Sequence, residues 1–151
     1  MTSTPSPRDT ATRKKDVLDA FATQGHYWLS TAEVGGRPHV IGVSAMWSDG
    51  EFVVTTLGTS RTARNMAMNP RVVLTHGDPS DAIVVRAGVL DSAPVEDWAE
   101  VADEWKAAMG WDAREMEGWM FFRLRPTRIQ AFRGYDEIGD RDLMIRSRWV
   151  V

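Results

Sequence analysis

Residues 55–74 read TTLGTSRTARNMAMNPRVVL, and the fold turns on how this stretch is parsed. Thr55 and Thr56 close a β-rich run, and Gly58 allows a sharp turn. Ser60 is a natural N-cap, because its hydroxyl can accept from a first-turn backbone N–H. Ala63, Met66 and Ala67 then fall at i, i+3 and i+4, the inner face expected of a short helix. Pro70 cannot continue that helix and pushes Asn69 toward extended backbone. RVVLTH, residues 71–76, resumes as a strand. Three arginines and five hydroxyls crowd into the stretch with no acid among them.

Working outward, EFVVTT (51–56) is preceded by an SDG turn, and that turn by HVIGVSAMW (39–47). A VGGRP turn links this run to HYWLSTAE (26–33). These three β-rich runs read as an antiparallel meander with no crossover helix. Lys14 to Thr23 places Val17, Leu18 and Phe21 at helical spacing and ends at Gln24-Gly25. After the central stretch comes AIVVRAGVLDS (82–92) as a fifth strand. A helix follows over Pro94 to Met109, with Trp98, Ala102, Trp105 and Met109 as one inward stripe. WMFFRLRPTRIQAFRG (119–134) reads as a last pair of strands broken near Pro126, and residues 136–148 as irregular. Consecutive strands with few helices predict a mainly β (α+β) fold, a small antiparallel split barrel with helices packed outside. A Rossmann domain is disfavoured, since no GxGxxG occurs and strands do not alternate with helices.

At 151 residues, 43 % hydrophobic and 26 % charged, the chain is most simply one domain, assigned here to residues 13–151. Residues 1–12, rich in Ser, Thr and Pro, read as a disordered tail without the apolar segment of a secretory signal. With no cysteine, disulfides, thiolate metal sites and cysteine nucleophiles are excluded. No run is long enough to span a membrane, and the expected location is cytoplasmic. The net charge of −3 is unevenly spread. Residues 91–117 carry nine acids against Lys106 and Arg114, which suits a solvated helix face. Residues 55–77 carry Arg61, Arg64 and Arg71 and no acid. No basic stripe interleaves with aromatics, so a nucleic-acid partner is not expected. The positive island asks for a small anion.

Reacting side chains are scarce. His26, His39 and His76 lack metal-ligand spacing and read as partly buried strand histidines. No GxSxG, HExxH or P-loop motif is present, so no catalytic residue or metal site is assigned. Such a chain suits chemistry supplied by a bound cofactor, with the protein giving position and electrostatics. A helix start preceded by hydroxyls and flanked by arginines is an anion site. It is also compatible with a plain N-cap and solvated arginines.

The run GRPHVIGVSAMW-SDG-EFVVTTLGTSRTARNMAMNPRVVLTHGD (36–78) resembles the FMN-binding split-barrel superfamily, which includes the pyridoxamine 5′-phosphate oxidases and F420-dependent oxidoreductases. RLRPTRIQAFRG (123–134) resembles the late strands of the same family. The resemblance implies an oxidoreductase with FMN at a homodimer interface, moving hydride to or from a small organic substrate. It implies backbone contacts to the flavin ring from Val43, Ser44 and Ala45, and ribityl and phosphate contacts from Thr55 and Thr56. Ser60, Arg61 and Thr62 match the family's phosphate-binding segment, with Arg64 the next cation along the helix. A lysine usually stands where this chain has Thr62, which removes one charge. The same fold using coenzyme F420 is the alternative, its acidic tail drawing on Arg13, Lys14 and Lys15 or on Arg141, Arg146 and Arg148. A non-enzymatic cofactor-binding protein is the third reading.

Overall fold

A computed structural model describes residues 6–151. Its strands are β1 (His26–Ala32), β2 (Pro38–Ser48), β3 (Glu51–Leu57), β4 (Arg71–Asp78), β5 (Asp81–Pro94), β6 (Trp119–Arg133), β7 (Asp142–Ile145) and β8 (Arg148–Trp149). Helix α1 (Thr10–Thr23) precedes them, α2 (Arg61–Met68) lies between β3 and β4, and α3 (Ala99–Met109) between β5 and β6. Every strand pairing is antiparallel. The order β3-β2-β1-β4-β5-β6 closes on itself through β3 pairing β6, and β7 and β8 extend the free half of β6. This is the split barrel that the meander implied.

Alternation along the strands explains the closure. Tyr27 and Leu29 of β1, Phe52 and Val54 of β3, Leu74 of β4, Val85 of β5 and Leu124 and Ile129 of β6 all point inward, joined by Val17 and Phe21 of α1. Full burial of such side chains contributes about 1.5–3 kcal/mol each. A second cluster sits outside the barrel wall, where Trp105 and Ala102 of α3 cover Met46, Val53 and Phe121. The tryptophan stripe of α3 is therefore core, although the helix begins at Ala99 after a 3-10 turn over Val95–Asp97.

Three expectations are corrected. Residues 119–133 form one long strand. Opposite β5 the register passes from Ala87↔Pro126 to Arg86↔Arg128, so Thr127 is an extra residue and the proline sits at a bulge. A bulge spares Pro126 the amide hydrogen bond it cannot make. The stretch 136–148 is not wholly irregular, since β7 lies within it and β8 starts at its end. Of the expected tail, residues 1–5 lie outside the described residues, whereas Asp9 caps α1 by accepting from the Thr12 amide. Arg8 is bonded to Glu137, 129 residues away.

Gly77 shows how tightly the β4–β5 hairpin is built. Its φ is +91°, and a Cβ there would stand 2.4 Å from the Asp81 carbonyl oxygen. Gly77→Ala therefore meets both left-handed backbone strain and a backbone clash. It is expected to cost about 2–3 kcal/mol, read as a fall in the urea midpoint.

Candidate functional site

A cleft of about 640 Å³ lies against β1, β2, β3 and β4. Trp28, Ile41 and Val43 line one part, and Trp111, Met116 and Trp119 bring in the segment after α3. Its size lies within the range of small-molecule and cofactor pockets, and its surface is mostly apolar and aromatic. Among the described residues no Lys, Arg, Asp or Glu lines it. Gly42 stands directly opposite Trp28 in the β1–β2 ladder, leaving the indole clear of any neighbouring side chain at that position. Trp28 is 59 % exposed, an unusual state for so large an apolar ring.

Four of the residues singled out from the sequence line this cleft: Val43, Ser44, Thr55 and Thr56. Ala45 does not. It turns into the core beside Val54, and its amide donates to the Gly25 carbonyl. Thr55 is anchored by donating from its hydroxyl to the Met120 carbonyl at 2.9 Å. The Thr56 hydroxyl lies 3.2 Å from that of Ser60, which links the cleft wall to the start of α2. Ser60 caps the helix as expected, accepting from the Ala63 amide at 3.0 Å. The Ser60 carbonyl takes the Arg64 amide, so the amides of Arg61 and Thr62 have no partner within the helix.

The inner face of α2 differs from the apolar stripe. Thr62, Ala63, Asn65 and Met66 are buried, and Ala67 is exposed. Asn65 is stabilised inside because its amide donates to the Thr31 hydroxyl at 3.0 Å. Thr62 is only 1 % exposed, yet its hydroxyl has no hydrogen-bond partner among the described residues. An orphaned buried hydroxyl costs about 1–3 kcal/mol. Thr62→Val is accordingly expected to raise the urea midpoint slightly while weakening binding of any anion at the start of α2. Equilibrium unfolding and ligand titration of the same variant check both signs.

Arg61 and Arg64 are exposed and face a second hollow of about 430 Å³, shared with Glu33, Val34, Gly35, Asn65 and Met68. The two hollows share no lining residue, and the Thr56–Ser60 contact is what links the cleft wall to α2. Among the described residues neither arginine forms an ion pair. Arg13, one of the cations considered for an acidic tail, is excluded. It is fully buried and holds Ala131, Glu137 and Asp140 carbonyls with Nη1. Lys14 donates to the Val151 carbonyl and covers the Trp149 ring, and Arg141 donates to the Ile138 carbonyl. Trp47 packs on Phe21 and Phe52, whereas Trp119 reaches the cleft. Among the described residues no cluster of three or more His, Asp or Glu could hold a metal ion. Nor is any helix there long and apolar enough to cross a membrane.

The model of the pyridoxamine 5′-phosphate oxidase family matches residues 14–133, which carry the whole barrel. The chain belongs to that family. No curated protein matches it. Among solved structures it is similar to an F420 reductase, with 21 % identity, TM-score 0.60, and 74 % of this chain covering 94 % of that one. HutZ of Vibrio cholerae, described as a heme storage protein, gives 18 % identity and TM-score 0.65 over 82 % of this chain and 97 % of its own. ChuZ of Campylobacter jejuni gives 13 % identity and TM-score 0.70, over 85 % of this chain and 58 % of its own. At these identities the three structures establish the split-barrel fold and nothing finer.

Trp28, Trp111 and Met116 were not found from the sequence as cleft residues. Trp28 is on the solvent side of a strand whose neighbours Tyr27 and Leu29 are core, and period-2 alternation alone could have flagged it as an outward tryptophan. Trp111 and Met116 come from a loop after α3, and no periodic pattern predicts where a loop folds back.

Proposed function

We propose that this protein is an oxidoreductase that binds flavin mononucleotide, the ring in the cleft and the phosphate at the start of α2. The observation that carries the reading is the 3.2 Å contact between Thr56, a wall residue of the aromatic cleft, and Ser60, the cap of a helix N-terminus. The orphaned Thr62 hydroxyl beside it fits a phosphate acceptor. Family membership supports the same reading.

The roles follow from the geometry. Trp28, Trp111 and Trp119, which line the cleft, would exclude water from a flat ring, and Val43 and Ser44 would present strand backbone to it. The free first-turn amides, the Thr62 hydroxyl and the Arg61 guanidinium would hold the phosphate, and charge-assisted contacts of this kind are the strong ones. When bound, the flavin supplies hydride exchange with a small organic substrate. A lysine at position 62 would have to be buried, so the charge usual there is better supplied by Arg61 and Arg64 on the open side of the helix.

The exposed face that carries Trp28 and Val40, 59 % and 56 % exposed, suits a second copy of this chain, giving a homodimer with the cleft at its interface. Trp28→Glu is expected to convert the dimer to monomer in sedimentation velocity.

The hollow lined by Arg61 and Arg64 favours a second reading, coenzyme F420, whose acidic tail would find there two cations that make no ion pair among the described residues. The absorbance spectrum of the purified protein tests both. A band at ~450 nm identifies flavin and one at ~420 nm F420, each a general property of the cofactor. A Soret band would assign the cleft to haem. A colourless protein that takes up neither FMN nor F420 would leave a non-enzymatic barrel.

A further inference from the structure

Hydride transfer leaves a charge imbalance that a proton must correct, and the cleft offers few groups to carry one. Among the described residues its lining includes no Lys, Arg, Asp or Glu. Tyr27 is lined up with the cleft, but burial pushes its phenol pKa up, away from any use near neutrality. Two histidines remain, His26 and His76. His76 differs from His26 in being held. Its Nδ1 lies 3.2 Å from the His26 carbonyl oxygen, and its ring packs on Tyr27 at 5.1 Å between centroids. A carbonyl only accepts, so Nδ1 must carry a proton, and in the neutral ring Nε2 keeps its lone pair.

We propose that His76 exchanges the proton that accompanies hydride transfer in this cleft, an inference resting on the oxidoreductase reading above. In the reducing direction, a bound reduced flavin or deazaflavin would supply hydride to one end of a conjugated, polarised acceptor such as a quinone. The electron pair displaced to the other end takes the proton from Nε2 of the His76 imidazolium. That N–H bond breaks, its electron pair stays on nitrogen, and neutral imidazole remains. The substrate is reduced by two electrons and the cofactor oxidised by two. In the reverse direction neutral His76 accepts the proton at Nε2. The Nδ1 bond to the His26 carbonyl is kept in both states, so the ring does not have to turn.

The charged surroundings of His76 come from its own strand and from the elements packed around it. His26 and Tyr27 face it from β1. A neighbouring hollow it shares holds Arg8, Asp16 of α1, Asp78 of β4, Asp81 of β5 and Arg133 of β6. Most of these are paired with one another, Arg8 with Asp16 and Asp81, and Arg133 with Asp81. Asp78 accepts from Ser80.

The test uses ¹⁵N-histidine-labelled full-length protein, FMN as cofactor and menadione as a hydride-accepting probe. Imidazole NMR of the cofactor-free protein is expected to show His76 as the Nδ1–H tautomer, and FMN is expected to shift its titration while leaving His39 unchanged. Photoreduced FMN-loaded protein mixed anaerobically with menadione should reoxidise at least tenfold more slowly as pH rises through the titration that NMR reads for His76. H76Q should be slow and flat with pH, whereas H39Q, outside the cleft lining, should retain the profile. An Nε2–H tautomer, an FMN-bound protein with unshifted His76, a parent whose reoxidation is absent or independent of pH, or a parent-like profile in H76Q each overturns the inference. Flavin fluorescence that is not quenched overturns the oxidoreductase reading, and this one with it.

Discussion

Glu137→Ala is expected to destabilise the protein by about 3–5 kcal/mol, the cost of breaking a buried ion pair from one side. Glu137 is 2 % exposed. Its carboxylate accepts from the Arg8 amide, from Arg8 Nε and Nη2, and from the Arg133 amide at 2.7–3.1 Å. Removing it takes the acceptor from Arg8 Nε and Nη2 and from the Arg8 and Arg133 amides, leaves Asp16 as the remaining hydrogen-bond partner of the guanidinium, and unlocks the segment before α1 from the end of β6. Equilibrium urea unfolding gives the magnitude.

The same carboxylate sets an acid limit. Hydrogen bonds from Arg8 hold its pKa at about 2, below the usual carboxylate range. A depressed native pKa stabilises the fold above the unfolded value and loses that contribution as pH falls through the native one. Asp142 is likewise held at about 2, first by hydrogen bonds from Arg128. Stability should therefore fall between about pH 4.5 and pH 2, and Glu137→Ala should flatten that part of the curve.

Arg61→Ala is expected to weaken FMN binding about tenfold to a hundredfold, the loss of one charge-assisted contact of about 1.5–3 kcal/mol. Because Arg61 is exposed and makes no ion pair among the described residues, its thermal midpoint should stay within a degree or two of the parent (a surface change of under ~0.5 kcal/mol). Equal affinity in variant and parent would remove Arg61 from the phosphate site, and a large fall in midpoint would make it structural. Arg64→Ala supplies the comparison. The larger share of binding falls to whichever arginine lies nearer the first-turn amides.

The barrel was legible because its information is local. Period-2 runs, the Gly-Gly and Asp-Gly turns, and the Ser60-to-Pro70 bracket around α2 each carry their own geometry. What escaped was set by partners distant in sequence. Pro126 looked like a strand break because a proline cannot donate, and only the β5 register shows the bulge that absorbs it. Arg8 and Arg13 looked like tail and solvent charges until the carbonyls and carboxylate of residues 131–140 were folded against them.

At the site the same divide holds. Ser60 could be read as a cap from its hydroxyl and position alone, and the structure places it as one. Thr62 looked like a missing charge, whereas it is a buried hydroxyl without a partner, a property that only packing reveals. The resemblance assigns Thr55 and Thr56 alike to the ribityl chain and phosphate, whereas in the fold Thr55 donates to the Met120 carbonyl and Thr56 alone joins Ser60. Arg61 and Arg64, which the resemblance assigns to the phosphate end, line a hollow separate from the cleft of the strand residues.

Titration of the purified, cofactor-stripped protein with FMN, followed by flavin fluorescence, tests the central claim most directly. The account predicts quenching that saturates at one FMN per chain and is weakened in Arg61→Ala. Fluorescence that stays unquenched through a several-fold excess of protein would contradict it.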